Sequence, residues 1–269
     1  MILIKVSFKE IFMPSNYTHF RFAGEVLKKS DTQIAQMIRR DIPLYLIGAH
    51  GPDILFYYKA WKTNEVNGIG YAMHRDIARS FFENAVNLIE TSCCSSSAFA
   101  YIAGFITHFA LDSRCHGYVN LREAEGVSHT ETEMQFDRYL MVKDGLDPLR
   151  YDSTSHIEAN MRNAGIIAPF FQLDSLKVRD ALRYMKKINR FFIAPQKSKR
   201  RFIYGILKLA GKYEQLSGMV MSYRPDEQCA ESCVRLEQLF DGSVDFAVEL
   251  IRKFADGDVG AEFDRNYDD

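Results

Sequence analysis

The chain is predicted to fold as an all-α protein, and three observations predict it. Apolar residues recur at three- and four-residue spacing through most of the 269 residues. Capping residues stand at the heads of several of these segments. Alternating β patterns are nearly absent outside the first few residues. Few prolines, no low-complexity linker and no internal repeat favour one continuous helical domain over residues 13–255. Residues 1–12 are expected to be an untranslated or disordered extension and residues 256–269 a C-terminal tail.

The elements follow in chain order. Asp31 can cap a helix presenting Ile34, Met37 and Ile38. Gly48-Ala49-His50-Gly51-Pro52-Asp53-Ile54 reads as a turn by its Gly and Pro content. It delivers Asp53, which could equally cap the next helix, near Phe56, Tyr57, Tyr58 and Trp61. From His74 to Glu90, Ile77, Phe81, Phe82, Ala85 and Val86 mark one helix with His74 at its start. Ser95-Ser96-Ser97 offers capping hydroxyls to a helix beginning near Ala98. That helix is apolar on most sides, which makes it the expected buried centre of the bundle. Gly117 is expected to end it. Ser128-His129-Thr130-Glu131 reads as a capping box. Later helices are predicted at 157–164, 175–192, 199–221 and 226–255.

Composition excludes some classes. A net charge of -1 gives the whole molecule no strong pull on nucleic acid or anionic membranes. Five cysteines, two of them adjacent, argue against a disulfide scaffold and for thiols in a reducing compartment. The first residues lack the pattern of a signal peptide, and the apolar run from Ala98 to Leu111 is too short to span a bilayer. A cytoplasmic location is therefore expected.

The chemistry is carried by histidines and carboxylates. His108 and Asp112 stand four apart on the central helix, on one face and roughly 6 Å apart. His129 and Glu133 repeat that spacing on the next helix. Taken singly each has an ordinary reading: a hydrogen-bonded core histidine, a cap, an ion pair from Asp112 to Arg114 or Arg122, a solvated Glu133. Together, two such residues in an apolar helix would be costly to bury without a partner, and a metal ion removes that cost. In a continuous helix His116 would lie roughly 12 Å along the axis from His108, so two separate metal positions are expected, one per pair. With the helix ended at Gly117, His116 is left to meet His129 and Glu133, and His74 could complete the first position. His50 is expected to hydrogen-bond or pack locally, and His156 to lie on the surface. A basic stretch from Lys186 to Lys212, interleaved with Phe191, Phe192, Phe202 and Tyr204, reads as a solvated face that could also draw in a phosphate substrate.

These residues resemble a known family. Met13-Pro14, His19, Gly51-Pro52-Asp53-Ile54, His74, Gly104-Phe105-Ile106-Thr107-His108-x3-Asp112-x3-His116 and His129-x3-Glu133 resemble the bacterial zinc-dependent phospholipase C family, within a superfamily that includes single-strand nucleases. The likeness is densest from Met13 to Leu140 and continues more weakly to Ile251. The resemblance implies an all-helical bundle holding two or three zinc ions. His74, His108 and Asp112 would hold one; His116, His129 and Glu133 a second; His19 and a bridging Asp112 a third. Asp53 would be the general base for the attacking water. Secreted members complete the third zinc with a processed N-terminal residue. Translation from Met13, with its removal before Pro14, would place a terminal ligand five residues ahead of His19; an intact mass matching a chain that starts at Met1 would exclude that start.

The activity implied is phosphoric-ester hydrolysis of the phospholipase C type, with transient membrane contact if the substrate is a phospholipid. A single-strand nuclease-type phosphodiesterase and a non-catalytic metal-binding domain are the alternatives. No stable nucleic-acid partner is expected.

Overall fold

The computed structural model describes residues 15–267. The expectations for residues 1–12 and for a start at Met13 lie outside the described residues. The helices are α1 (Asn16–Lys29), α2 (Thr32–Arg39), α3 (Ile42–Gly48), α4 (Glu65–Arg75), α5 (Arg79–Thr91), α6 (Ser95–Ala124), α7 (His129–Lys143), α8 (Met161–Ile167), α9 (Ser175–Phe192), α10 (Lys197–Leu209), α11 (Tyr213–Leu216) and α12 (Ala230–Ala255). A 3-10 turn spans Gly51–Leu55, and no strand occurs among the described residues. The fold is all-α.

The 30-residue α6 is the axis of the bundle, about 45 Å long. Every residue from Ala98 to Ser113 is buried, as the near-continuous apolar run requires. α3 and α12 make its most extensive contacts, and α1, α2, α5 and α7 complete the ring around it. The approach of α3 is close because glycines face backbone across the interface. A Cβ on Gly104 would lie 1.9 Å from the Tyr45 carbonyl oxygen, and one on Gly48 would lie 2.0 Å from that of Tyr101. This packing places the turn that follows α3 directly against α6.

Several expectations are corrected. α6 does not stop at Gly117 but runs on to Ala124. Glycine costs a helix only about 1 kcal/mol, and here Val119 is buried beyond it while Tyr118 donates a hydrogen bond to Ser232 of α12. α6 also starts at Ser95, three residues early; Ser97 does not cap it but donates to Asp41 Oδ2 at 2.7 Å. The segment 74–90 is two helices, because Asp76 is extended and breaks the run. His74 thus lies in the last turn of α4, which begins at a capping box made by Asn64 and Asn67. The predicted 157–164 helix sits at Met161–Ile167, capped by Asn160. The predicted 199–221 helix divides at Gly211, whose φ of +64° suits a residue without Cβ. In the predicted 226–255 helix, Asp226 caps a 3-10 turn and α12 begins at Ala230. The caps at Asp31 and Ser128 form, accepting from Ile34 N and Glu131 N, but the capping box read at Ser128 is only half made: Glu131 Oε1 accepts from Gln135 Nε2 instead.

The segment after α12 packs tightly. Phe263 and Tyr267 are fully buried, and Tyr267 N donates to the carbonyl of His74 at 3.3 Å.

His156 is not a free surface residue. Its ring stacks on Phe20, and its Nε2 lies 2.8 Å from Nε2 of the fully buried His50. One ring donates and the other accepts, so the pair needs a neutral acceptor. Burial pushes His156 down to about 4, with Lys186 adding to it, and pushes His50 well below its ordinary value, with His156 adding to it. A histidine with a depressed folded-state pKa contributes stability above its unfolded value, about 6.5. That contribution is lost as pH falls through about 4. His156→Asn is expected to reduce the stability lost between pH 7 and 4.5 by on the order of 1 kcal/mol in chelator. Urea midpoints at the two pH values would measure it; equal losses in both proteins would refute it.

Candidate metal centre

The axis helix sets the site. His108, Asp112 and His116 fall at i, i+4 and i+8 on one face of α6, and all three are buried. Because the helix is continuous, they form a row roughly 12 Å long with Asp112 in the middle. Other elements bring ligand-type side chains to that row: His19 from α1, Asp53 from the Gly51–Leu55 turn, His74 from the end of α4, and His129 and Glu133 from α7.

Asp112 joins the two ends. Its Oδ2 lies 2.9 Å from His108 Nε2, and its Oδ1 lies 3.3 Å from His19 Nε2 and 3.7 Å from His116 Nε2. At the first end Asp53 Oδ1 is 3.1 Å from His74 Nε2 and 3.8 Å from His108 Nε2. At the other, Glu133 Oε1 is 3.2 Å from His129 Nε2 and 3.6 Å from His116 Nε2. Three groups have donor atoms within 4.8 Å of one another: His19, Asp53 and His108; His74, His108 and Asp112; His116, His129 and Glu133. The side chains singled out in the sequence therefore meet. Asp53, expected as the general base for the attacking water, comes to the same distances as the ligand-type residues.

The donor chemistry fits a divalent cation. His19 Nδ1, Asp53 Oδ1, His74 Nε2, both ring nitrogens of His108, Asp112 Oδ2, His129 Nε2 and Glu133 Oε2 are buried without a well-aligned hydrogen bond, although Asp112 Oδ2 faces His108 Nε2 and Asp53 Oδ1 faces His74 Nε2 as ion pairs. Each such atom costs about 1–3 kcal/mol if left unsatisfied. Orphaned donors and acceptors concentrated in one row are what metal ligation resolves. A cavity of about 20 Å³ lies among Ser15, His19, Asp112, His116 and Glu133.

Electrostatics prepare the same atoms. Burial would raise Asp112, but the imidazoles of His108, His116 and His19 hold it well below the usual carboxylate range. Burial likewise opposes ionisation of Glu133, yet His129 and His116 lower it to about 2. Burial pushes His19 down to about 4 despite the pull of Asp112, which leaves its ring neutral at pH 7. Burial works against His74 too, but the Asp53 carboxylate outweighs it and raises the imidazole. Ionised carboxylates and a neutral His19 are ligands that need no deprotonation.

Three supports were not read from the sequence. Asp137, one turn beyond Glu133, accepts from Tyr17 N, Thr18 N and Thr18 Oγ1 at 3.1, 2.8 and 2.6 Å. It thus caps α1 from another helix and fixes the turn that carries His19; its signal was the i+4 continuation of the His129, Glu133 row. Tyr267 lies with its ring centroid 5.1 Å from His74 and 5.8 Å from His108, and nothing in its local sequence pointed there. Gly51 adopts φ +49°, and a Cβ on it would lie 2.2 Å from His108 Cδ2. Gly51→Ala should therefore displace the His108 ring as well as strain the turn. The expected result is at least about 2–4 kcal/mol of lost stability with a drop in bound zinc; thermal melts and elemental mass spectrometry check both.

The model of a protein family described as zinc dependent phospholipase C matches residues 18–208. The chain belongs to that family. The match runs from one residue before His19 to the next-to-last residue of α10, so it spans the whole metal row. α11, α12 and Tyr267 fall outside it. No curated protein and no solved structure matches the chain. Among the described residues no helix is long and apolar enough to cross a membrane.

Proposed function

We propose that this family member is a phosphoric-ester hydrolase of the phospholipase C type that works with two or three zinc ions. The observation that carries the reading is the row of eight ligand-type side chains that meet along α6, seven of which bury an orphaned polar atom there. His74, His108 and Asp112 would hold one ion, with Asp53 beside them. His116, His129 and Glu133 would hold a second, and His19 with Asp112 a third. Among the described residues three protein donors meet at the His116 end, which suits a catalytic position better than a closed structural one. When bound, zinc supplies positive charge that acidifies water and neutralises the developing phosphoryl charge.

The chain's own residues supply the rest. Asp53, buried beside His74 and His108, orients the attacking water and takes its proton. The water oxygen bonds to phosphorus as the bond to the leaving alcohol breaks, and the proton that Asp53 took passes to the alcohol oxygen. Tyr267 and the apolar lining of α6 keep bulk water from the histidines. Asp137 holds His19 in register through the first turn of α1.

The test is a digestion panel. Phosphatidylcholine, other phosphodiesters and single-stranded oligonucleotides are offered with zinc and with chelator. Zinc-dependent release of a phosphorylated head group supports the reading, cleavage of oligonucleotides alone would move it to the nuclease branch, and no turnover by zinc-loaded protein would leave a non-catalytic metal domain.

A further inference from the structure

Helix α10 has two apolar faces. Ile203 and Leu207 point inward and pack with Phe192, Ala194, Met219 and Val220. Phe202, Ile206 and Leu209 point outward and are 62%, 39% and 91% exposed. Their i, i+4, i+7 spacing makes one continuous stripe. An uncovered apolar stripe of this kind marks a docking surface more often than a chance exposure.

Charge says what covers it. Residues 181–213 contain ten Lys and Arg and no Asp or Glu, although the whole chain carries a net charge of -1. Lys197, Arg201 and Lys208 are exposed on α10 itself, and none makes an ion pair among the described residues. Nucleic acid would satisfy the cations, but the stripe offers a base one ring, Phe202, while Ile206 and Leu209 are aliphatic and give it nothing to stack on. A second copy docked by two-fold symmetry would bring the same cationic face against itself. An anionic lipid surface satisfies both features at once, taking the apolar stripe into the acyl boundary and the cations against lipid phosphates.

The placement also suits the metal row. From α10 the chain passes through α11 to a 3-10 turn at Ser217–Met219 that packs on α7. There Gly218 lies against Thr130, next to His129, whose side chain is 22% exposed and the most open of the paired metal-row residues.

We propose that α10 is an interfacial helix that seats this protein on anionic membranes through Phe202, Ile206 and Leu209, with Lys197, Arg201 and Lys208 on the lipid phosphates. The inference does not rest on the hydrolase reading, and its test reads binding rather than turnover.

The full chain is sedimented with phosphatidylcholine vesicles with and without phosphatidylglycerol. Binding is expected with the anionic vesicles and is expected to weaken as salt rises. A Phe202→Ser, Ile206→Ser, Leu209→Ser variant should lose roughly tenfold or more in partitioning, with unchanged zinc content and circular dichroism because all three side chains are exposed. Lys197→Gln with Arg201→Gln, which leaves the stripe intact, should lose roughly 25-fold at low salt. The proposal is overturned if wild type does not favour anionic vesicles, or if both variants bind as wild type does. It is overturned equally if the triple variant abolishes a dimer or oligonucleotide binding while lipid binding is absent.

Discussion

Asp112→Ala is expected to cost the protein most of its zinc. Among the described residues Asp112 touches three histidines of the row, with His108 at 2.9 Å, His19 at 3.3 Å and His116 at 3.7 Å. Loss of a supporting partner of a ligand already weakens a metal site by about 10–100-fold, so loss of the joining carboxylate should weaken it by more. Elemental mass spectrometry of purified wild type should give two or three zinc ions per chain and a clearly lower content in the variant. The same change has a thermodynamic readout. Zinc at 100 times its dissociation constant stabilises a folded protein by about 2.7 kcal/mol per site, and the melts of Asp112→Ala should keep at most the increment of the His116, His129 and Glu133 site. Without zinc the two proteins should differ far less. A folded wild type that stays empty after zinc is supplied would sink the hydrolase reading and leave the histidine row as ancestry alone.

A comparably large effect on folding itself is expected at Gly104. By helix propensity, alanine there should stabilise α6 by about 1 kcal/mol. The added Cβ would instead stand 1.9 Å from the Tyr45 carbonyl oxygen and 2.9 Å from Ala49 N, both of them backbone of α3 or its C-terminus. Backbone cannot rotate away as a side chain can, so the two helices must separate. Overpacking of a well-filled core costs about 1–3 kcal/mol, and a clash with main chain belongs at or beyond the upper end. Because α3 leads straight into the turn carrying Asp53, separation should also move that carboxylate from His74 and His108. Gly104→Ala is thus expected to lose both denaturant stability and zinc, whereas alanine at the exposed Gly205 of α10, where nothing lies within 4 Å of a new Cβ, should leave zinc content unchanged. A Gly104→Ala protein as stable as wild type would show that the close approach is not rigid.

Much of this was legible in the linear sequence. The apolar run from Ala98 to Leu111 reads as a helix apolar on most sides at the buried centre of the bundle, and α6 is that helix. The His-x3-Asp and His-x3-Glu spacings place ligand pairs on single helix faces, since a side chain four residues on returns to the same side. What misled was local punctuation. Gly117 looked like a terminus, yet the contact of Tyr118 and Val119 with their surroundings outweighs the small cost of one glycine. The split at Asp76 was hidden because Ile77, although apolar, is largely exposed and belongs to no buried face.

The sequence by itself determined the helical class, the identity of the central helix and the ligand-type residues, because each depends on spacing within one element. Only the tertiary structure decided how those residues meet. Asp137 capping α1 from α7, Tyr267 closing on His74 from the far end of the chain, and Gly51 making room for the His108 ring all join residues that are distant in sequence. No periodicity encodes such contacts. They are set by helices packing around α6, where the burial of apolar surface fixes the polar atoms in place and leaves them to find partners across the core.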